Sequence, residues 1–438
     1  DLGKIFSEID SSTGELKYKK TNGKPYNIYK DGLRIYTTIN SDMQKYAEWA
    51  MTKYLGEKLQ KDFFRDLKKK KKNPFDWRVT DQEVDQIINS SMRRTDRYNV
   101  LVGVQCANCG RRGKYVSEVT ENGVNYFVCS AEDCLHKSRV TPKDSIDVIF
   151  NTPVPMTVFS WKGEIDTILS PIDSIKYYKS FLQSGLMSMD PTTGYIKAWV
   201  GGINSKYFAY DHVAQGKRQV GSTFKPFLYA TAIDQLKLSP CDSLPDALYC
   251  IDPMKHGNMD AWCPKNSGDK YGRTRTLKNA LANSVNTVSA RLMDLVGPRP
   301  VINLARKMGI TSRLPAVPSI ALGTPDISLF EMVGAYSTFA NQGIYVKPVM
   351  VTRIEDKNGR ALYEVVPETQ DVLSQEAAYV TVNLMQGVTE HGSGARLRHA
   401  GLEKTSYVYE KVVTGYPYIF ENPIAGKTGT TQNQSDGW

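Results

Sequence analysis

The stretch Gly221-Ser222-Thr223-Phe224-Lys225-Pro226 constrains this chain more than any other. It places a hydroxyl and an amine three residues apart at the start of a predicted helix, where residues i and i+3 share a face. Lys225 can therefore reach the Ser222 oxygen and take its proton, and a serine hydroxyl is a poor nucleophile without such a base. The following run, Phe227-Leu228-Tyr229-Ala230 through Ile233, carries enough apolar residues to bury this helix in a core and hold the pair rigidly. Burial also depresses a lysine's pKa, the condition for an amine to act as a base near neutral pH. The bland alternative is an ordinary helix start, since a chain this long carries roughly two S-x-x-K matches by chance. A second copy, Ser267-Gly268-Asp269-Lys270, lies among Pro264, Gly268 and Gly272 and reads as a loop.

With 438 residues the chain has room for two or three domains. Its net charge of +10 includes the run Lys68-Lys69-Lys70-Lys71-Lys72. Such a run reads as a solvated face or loop that could favour an anionic partner such as a membrane surface or polymer, and it does not argue for nucleic acid. No stretch approaches the roughly eighteen apolar residues of a membrane span, and no signal-peptide pattern opens the sequence. The chain begins at Asp1 and stops at Trp438 soon after a strand-like run. It therefore reads as part of a longer protein, with any anchoring segment outside it.

Residues 1–40 read as a linker running into a strand, carried by the alternation of Leu33 to Ile39. Residues 41–60 read as a helix, capped by Ser41 or Asp42, with Met43, Tyr46, Ala47, Ala50 and Met51 as its apolar stripe. Residues 61–150 turn basic and polar and read as an inserted module, before a main domain over 151–438. Four of the seven cysteines lie in the insert: Cys106 and Cys109 in a C-x-x-C-G pattern, then Cys129 and Cys134. The first pair resembles a knuckle that aims two thiolates at one metal, and the second could complete a tetrahedral structural zinc site. Two disulfides are the alternative, and a small module with few apolar residues needs one staple or the other. Further on, Leu186–Asp190, the turn Pro191-Thr192-Thr193-Gly194 and Tyr195–Gly202 predict a hairpin whose face the Ser222 helix could pack against. Cys250 and Cys263 flank a polar loop and are candidates for a disulfide, leaving Cys241 free.

Two more motifs follow. Ser284-Val285-Asn286 sets a hydroxyl and a carboxamide two apart at a predicted helix end, and Lys427-Thr428-Gly429-Thr430 lies in a strand-like run. In a strand, Gly429 would let a ligand approach the backbone, and N–H groups on such an edge can stabilise an oxyanion. S-x-x-K, S-x-N and K-T-G in this order resemble the signature of penicillin-binding proteins and serine β-lactamases. Asp31–Ile39, Ser319–Thr324, Glu331 and Ala335–Gly343 are similar to stretches of class A penicillin-binding proteins. The resemblance covers roughly residues 30–60 and 170–438 and leaves the cysteine module without a counterpart.

That resemblance implies an α/β fold of the α+β type, an antiparallel sheet flanked by helices, with 151–438 as a transpeptidase domain. It implies Ser222 as the nucleophile on D-alanyl-D-alanine stem peptides, Lys225 as its base, Ser284 as a proton relay and Asn286 as a holder of the peptide amide. Lys427 would supply positive charge, Thr428 and Thr430 would bind the substrate carboxylate beside Gly429, and the N–H groups of Ser222 and Thr430 would form the oxyanion hole. No cofactor is implied for catalysis. The implied partners are peptidoglycan stem peptides, β-lactams and, through an upstream anchor, the extracytoplasmic face of the bacterial inner membrane. A D,D-carboxypeptidase, a β-lactamase and a non-catalytic penicillin-recognising scaffold share the motifs. The family pattern continues past K-T-G into more strand and a helix, so an exposed sheet edge and reduced stability are expected at Trp438.

Overall fold

A computed structural model of the chain describes residues 2–10, 12–397, 422–431 and 435–438. It divides into two compact units, Glu48–Gln183 and the combination of Asp1–Ala47 with Ser184–Trp438.

In the unit 48–183, helices α1 (Gln60–Leu67) and α2 (Asp81–Met92) precede a small ribbon. Strands β1 (Val116–Glu121), β2 (Val124–Cys129) and β3 (Lys137–Arg139) form that ribbon as an antiparallel sheet. Asn122 and Gly123 join the first two strands, both at positive φ, as a tight two-residue hairpin requires. Next come α3 (Lys143–Asn151), the antiparallel pair β4 (Val154–Ser160) and β5 (Gly163–Leu169), and α4 (Pro171–Lys179). Thr80 and Glu83 close a capping box on α2, whose Ile88 and Met92 share a core with Ile146, Phe150 and Ile175. Residues 61–150 thus hold helices as well as the cysteine ribbon, and their apolar faces are outnumbered in the sequence by charged solvent positions. Lys68–Lys71 are exposed, while Lys72 pairs with Asp81 at 2.8 Å.

In the larger unit, β6 (Leu186–Met189) and β7 (Ile196–Val200) form the expected hairpin. Its turn is held by Asp190, whose Oδ1 accepts from the N–H (2.9 Å) and hydroxyl (2.8 Å) of Thr192. The predicted leading strand forms over Arg34–Thr37, pairing with Val351–Glu355, which in turn pairs with Ala361–Glu364. All these ladders are antiparallel, and helices flank them, in agreement with the α+β class.

Helix α5 (Lys225–Leu236) follows a 3₁₀ turn at Gly221–Phe224, and every residue from Lys225 to Ile233 is buried. The other helices used below are α6 (Leu277–Ala282), α7 (Asn286–Val296), α8 (Leu329–Ala340) and α9 (Gln375–Glu390). A helix with no polar stripe must be covered on all sides. Accordingly α5 is wrapped by α7, α9 and Pro298–Lys307, while α8 takes the place on β6 that the sequence pattern suggested for α5. Phe224, Phe227, Tyr336 and Phe339 interlock α5 and the 3₁₀ turn before it with α8 at ring separations of 5.0–6.0 Å. Glu331 anchors α8 by accepting from Thr311, Ser312 and Ser328. Burial pushes its carboxyl up, but these hydrogen bonds outweigh burial and hold it at about 2. Cys250 and Cys263 are disulfide-bonded and Cys241 is free. Among the described residues no helix is long and apolar enough to cross a membrane.

Candidate active site

Lys225 is 0% exposed, and its Nζ donates to Ser284 O (2.7 Å) and Asn286 Oδ1 (2.7 Å) and lies 3.2 Å from Ser284 Oγ. None of these partners is charged. Burial, followed by repulsion from Lys427, drives its pKa well below the ordinary lysine value. A neutral amine has two N–H donors and one lone pair. The two short contacts to carbonyl-type oxygens use the donors, which leaves the lone pair to face a hydroxyl. The sequence suggested a direct Lys225–Ser222 contact. Instead the amine is tied to the stronger acceptors of Ser284 and Asn286, and no hydrogen bond joins it to Ser222 Oγ among the described residues. Ser222 itself is half-buried on the 3₁₀ turn, one turn ahead of Lys225, and its carbonyl accepts the Lys225 N–H.

Ser284 and Asn286 reach Lys225 because α6 ends in a reversal. Ser284 N–H bonds to Leu281 O (3.1 Å) and Val285 N–H to Ala280 O (2.9 Å), a Schellman pattern with Ser284 in the left-handed position at φ +56°. Glycine usually fills that position, so a serine there carries backbone strain, of order 1 kcal/mol, that its hydroxyl must justify. Behind it, Asn266 Oδ1 caps α7 by accepting from the N–H groups of Asn286 (2.9 Å) and Thr287 (3.2 Å). Asn286 Nδ2 donates to Lys265 O at 2.8 Å, which fixes its amide so that Oδ1 faces Lys225. Asp246, fully buried, accepts from Asn266, Thr287 and Arg275 at 2.6–2.8 Å. Burial raises its pKa, but these three bonds more than offset that and hold it below the usual carboxylate range.

The K-T-G run is extended without a regular strand partner, apart from a bridge between Thr430 and Gly437. Gly429 and Trp438 exchange both backbone hydrogen bonds at 3.0 Å. By alternation, the Thr430 N–H and C=O then point away from Trp438. They flank Gly221, where a Cβ would lie 2.7 Å from Thr430 O. Gly221, at φ +55°, also donates to Gly323 O at 2.9 Å, and a Cβ on Gly323 would fall 1.8 Å from Gly221 O. Gly429 has a different role from the one its pattern suggested. A Cβ there would meet Val220 O at 2.7 Å, so the glycine admits the protein's own backbone. Gly221 and Gly429 thus let Ser222's turn approach the K-T-G backbone closely, and Gly323 lets its own backbone lie against that of Gly221.

Lys427 is half-buried, donates to Thr428 O at 2.9 Å, and has its pKa lowered by burial to about 8. Thr428 Oγ1 lies 2.5 Å from Ser393 Oγ, and Ser393 N–H bonds to Ala282 O at 3.0 Å. Sequence reasoning missed Ser393, Asp246 and Asn266, which no motif marks. A mostly apolar cavity of about 470 Å³ takes in Lys427, Thr223, Tyr336 and Trp438 but not Ser222, Ser284 or Asn286. In the other unit, the sulfurs of Cys106, Cys109, Cys129 and Cys134 all lie within 4.8 Å of one another.

A family model described as penicillin binding protein transpeptidase domain matches residues 185–437, and one described as penicillin-binding protein middle domain matches 135–182. All four ribbon cysteines lie outside both matches. Penicillin-binding protein 1A of Aquifex aeolicus (strain VF5) is 33% identical over 259 residues, which is 59% of this chain and 32% of that protein. Penicillin-binding protein 1A of Neisseria cinerea is 27% identical over 425 residues, 94% of this chain and 48% of that protein. The chain thus spans about a third to a half of these relatives. The crystal structure of penicillin-binding protein 1A from Haemophilus influenzae matches with a TM-score of 0.56 at 18% identity, over 94% of this chain and 60% of that one, a likeness of fold.

Proposed function

The chain belongs to the penicillin-binding protein family, as the transpeptidase region of a class A member, and from that premise we propose that it cross-links peptidoglycan by a serine acyl-enzyme route. The observation that carries this reading is Lys225, a buried amine with only uncharged partners, one turn from Ser222 and bonded to the Ser284 hydroxyl. A buried ammonium without a counter-ion is costly, so the resting amine is neutral and basic.

Ser222 Oγ attacks the carbonyl carbon of the penultimate D-alanine, and its proton passes to Lys225 Nζ. The oxyanion is received by the N–H groups of Ser222 and Thr430, which the glycine contacts bring near each other. As the C–N bond breaks, Ser284 Oγ gives its proton to the leaving D-alanine amine and regains one from Lys225 across their 3.2 Å contact. Asn286 holds Lys225 through Oδ1 and the peptide amide through the rest of its carboxamide. Lys427, Thr428 and Thr430 bind the substrate carboxylate. An amine of a second stem peptide then takes the acyl group by the reverse sequence and frees Ser222. A β-lactam mimics the D-alanyl-D-alanine end and acylates Ser222. The stem peptides lie outside the inner membrane, so the domain works on that extracytoplasmic face, held by an anchor upstream. The Cys250–Cys263 disulfide suits such an oxidising compartment.

The test is product analysis with a D-alanyl-D-alanine-ended peptide and an excess of acceptor amine. Release of D-alanine with formation of the peptide–amine product is expected. D-Alanine with hydrolysed peptide alone would make the protein a carboxypeptidase, and no release would contradict the reading.

A further inference from the structure

We infer that the ribbon β1–β3 is built around one zinc ion held by the thiolates of Cys106, Cys109, Cys129 and Cys134. The sulfurs of Cys106 and Cys134 lie 3.7 Å apart, as do those of Cys109 and Cys129, and all four fall within 4.8 Å of one another. Four sulfurs at about 2.3 Å from a central ion stand about 3.8 Å apart at the corners of a tetrahedron. That spacing suits one ion, and it is too wide for a disulfide, whose sulfurs stand about 2.05 Å apart.

The backbone fits the same centre. Asn108 N–H donates to Cys106 Sγ at 3.4 Å, and the Asn108 side-chain Nδ2 donates to Cys134 Sγ at 3.4 Å. One asparagine thus donates to a sulfur from each cysteine pair, and such N–H donors orient and stabilise thiolate ligands. Positive φ at Gly110 and Leu135 turns the chain directly after Cys109 and Cys134. Arg111 and Asp133 form an ion pair that ties one cysteine loop to the other. Apolar packing cannot replace the metal, since the local core holds only Cys106, Cys129 and Ala131, with Val116 and Cys134 against it. Four thiolates fill the coordination sphere, so the ion is structural: binding releases the thiol protons and leaves no open position.

Two measurements on the intact chain test this. Elemental analysis of protein purified without added metal should find about one zinc per chain, falling to near zero in Cys109→Ser/Cys129→Ser. Alkylation of the denatured, unreduced wild type should label five cysteines, the four ligands and Cys241, leaving Cys250 and Cys263 unlabelled; this readout does not depend on a variant folding. Labelling of Cys241 alone would mean two further disulfides and overturn the zinc site. Five labelled thiols without stoichiometric zinc, or with iron in its place, would overturn it as well.

Discussion

The mechanism requires Lys225 neutral and Lys427 protonated at the same pH, and the structure separates the two by environment. Lys225 is driven well below the ordinary lysine value by burial and by the Lys427 charge, while burial lowers Lys427 to about 8. The acylation rate should therefore rise as Lys225 loses its proton and fall as Lys427 loses its own, giving a bell. On the falling limb, the protonated fraction of a group titrating at about 8 drops to roughly 3% at pH 9.5, so the rate should stand about thirtyfold below its plateau there. Lys427→Arg keeps the charge at every accessible pH, because a guanidinium does not titrate in this range, and should abolish that fall. Lys427→Met should remove the repulsion on Lys225 and move the rising limb to higher pH, with a lower plateau. The assay is stopped-flow acylation by a chromogenic β-lactam, corrected for spontaneous hydrolysis. A falling limb that persists in Lys427→Arg, or a rising limb unmoved in Lys427→Met, would refute this assignment of charges.

Ser284→Gly relieves the left-handed strain but removes the hydroxyl, so its melting temperature should match or exceed wild type while acylation drops by ~10²-fold or more. Asn286→Ala takes one of the two short acceptors from Lys225 and should slow acylation ~10–100-fold, a loss of ~1.4–2.7 kcal/mol that the same assay reads. Gly323→Ala forces a Cβ into the Gly221 carbonyl at φ +71° and should destabilise the domain by more than ~3 kcal/mol in urea titrations. Glu331 titrates at about 2 when folded against an ordinary 4.5, so its contribution is complete above pH 4.5 and is lost as pH falls toward 2. Wild type should therefore lose ~2 kcal/mol across that window that Glu331→Gln, less stable at neutral pH, does not.

Much of the site was legible because its parts are local. Ser222 and Lys225 sit one turn apart in the sequence as in space, and the apolar run after them predicted the burial that lowers the Lys225 pKa. The hairpin at Leu186–Val200 and the convergence of the four ribbon cysteines were legible for the same reason. What the sequence concealed is what distant segments do to one another. The partners of Lys225 depend on the Ser284 reversal, and that reversal uses a serine where a glycine signal would be sought. Asp246 and Asn266 hold Asn286 from more than nineteen positions away, through contacts that leave no periodic trace. The space beside Gly429 is filled by Val220, whose carbonyl reaches it only once α5 and the K-T-G run are packed. The helices of 61–150 were masked by composition, since charged solvent positions outnumber the few side chains that form their core.

The most direct measurement is the intact mass of the protein after incubation with a β-lactam, alongside Ser222→Ala. A stable adduct of one drug mass is expected on wild type, localised by peptide mapping to Ser222, and none on the variant. An adduct of equal yield on Ser222→Ala, or an unmodified wild type with the drug left intact, would contradict Ser222 as the acylated nucleophile.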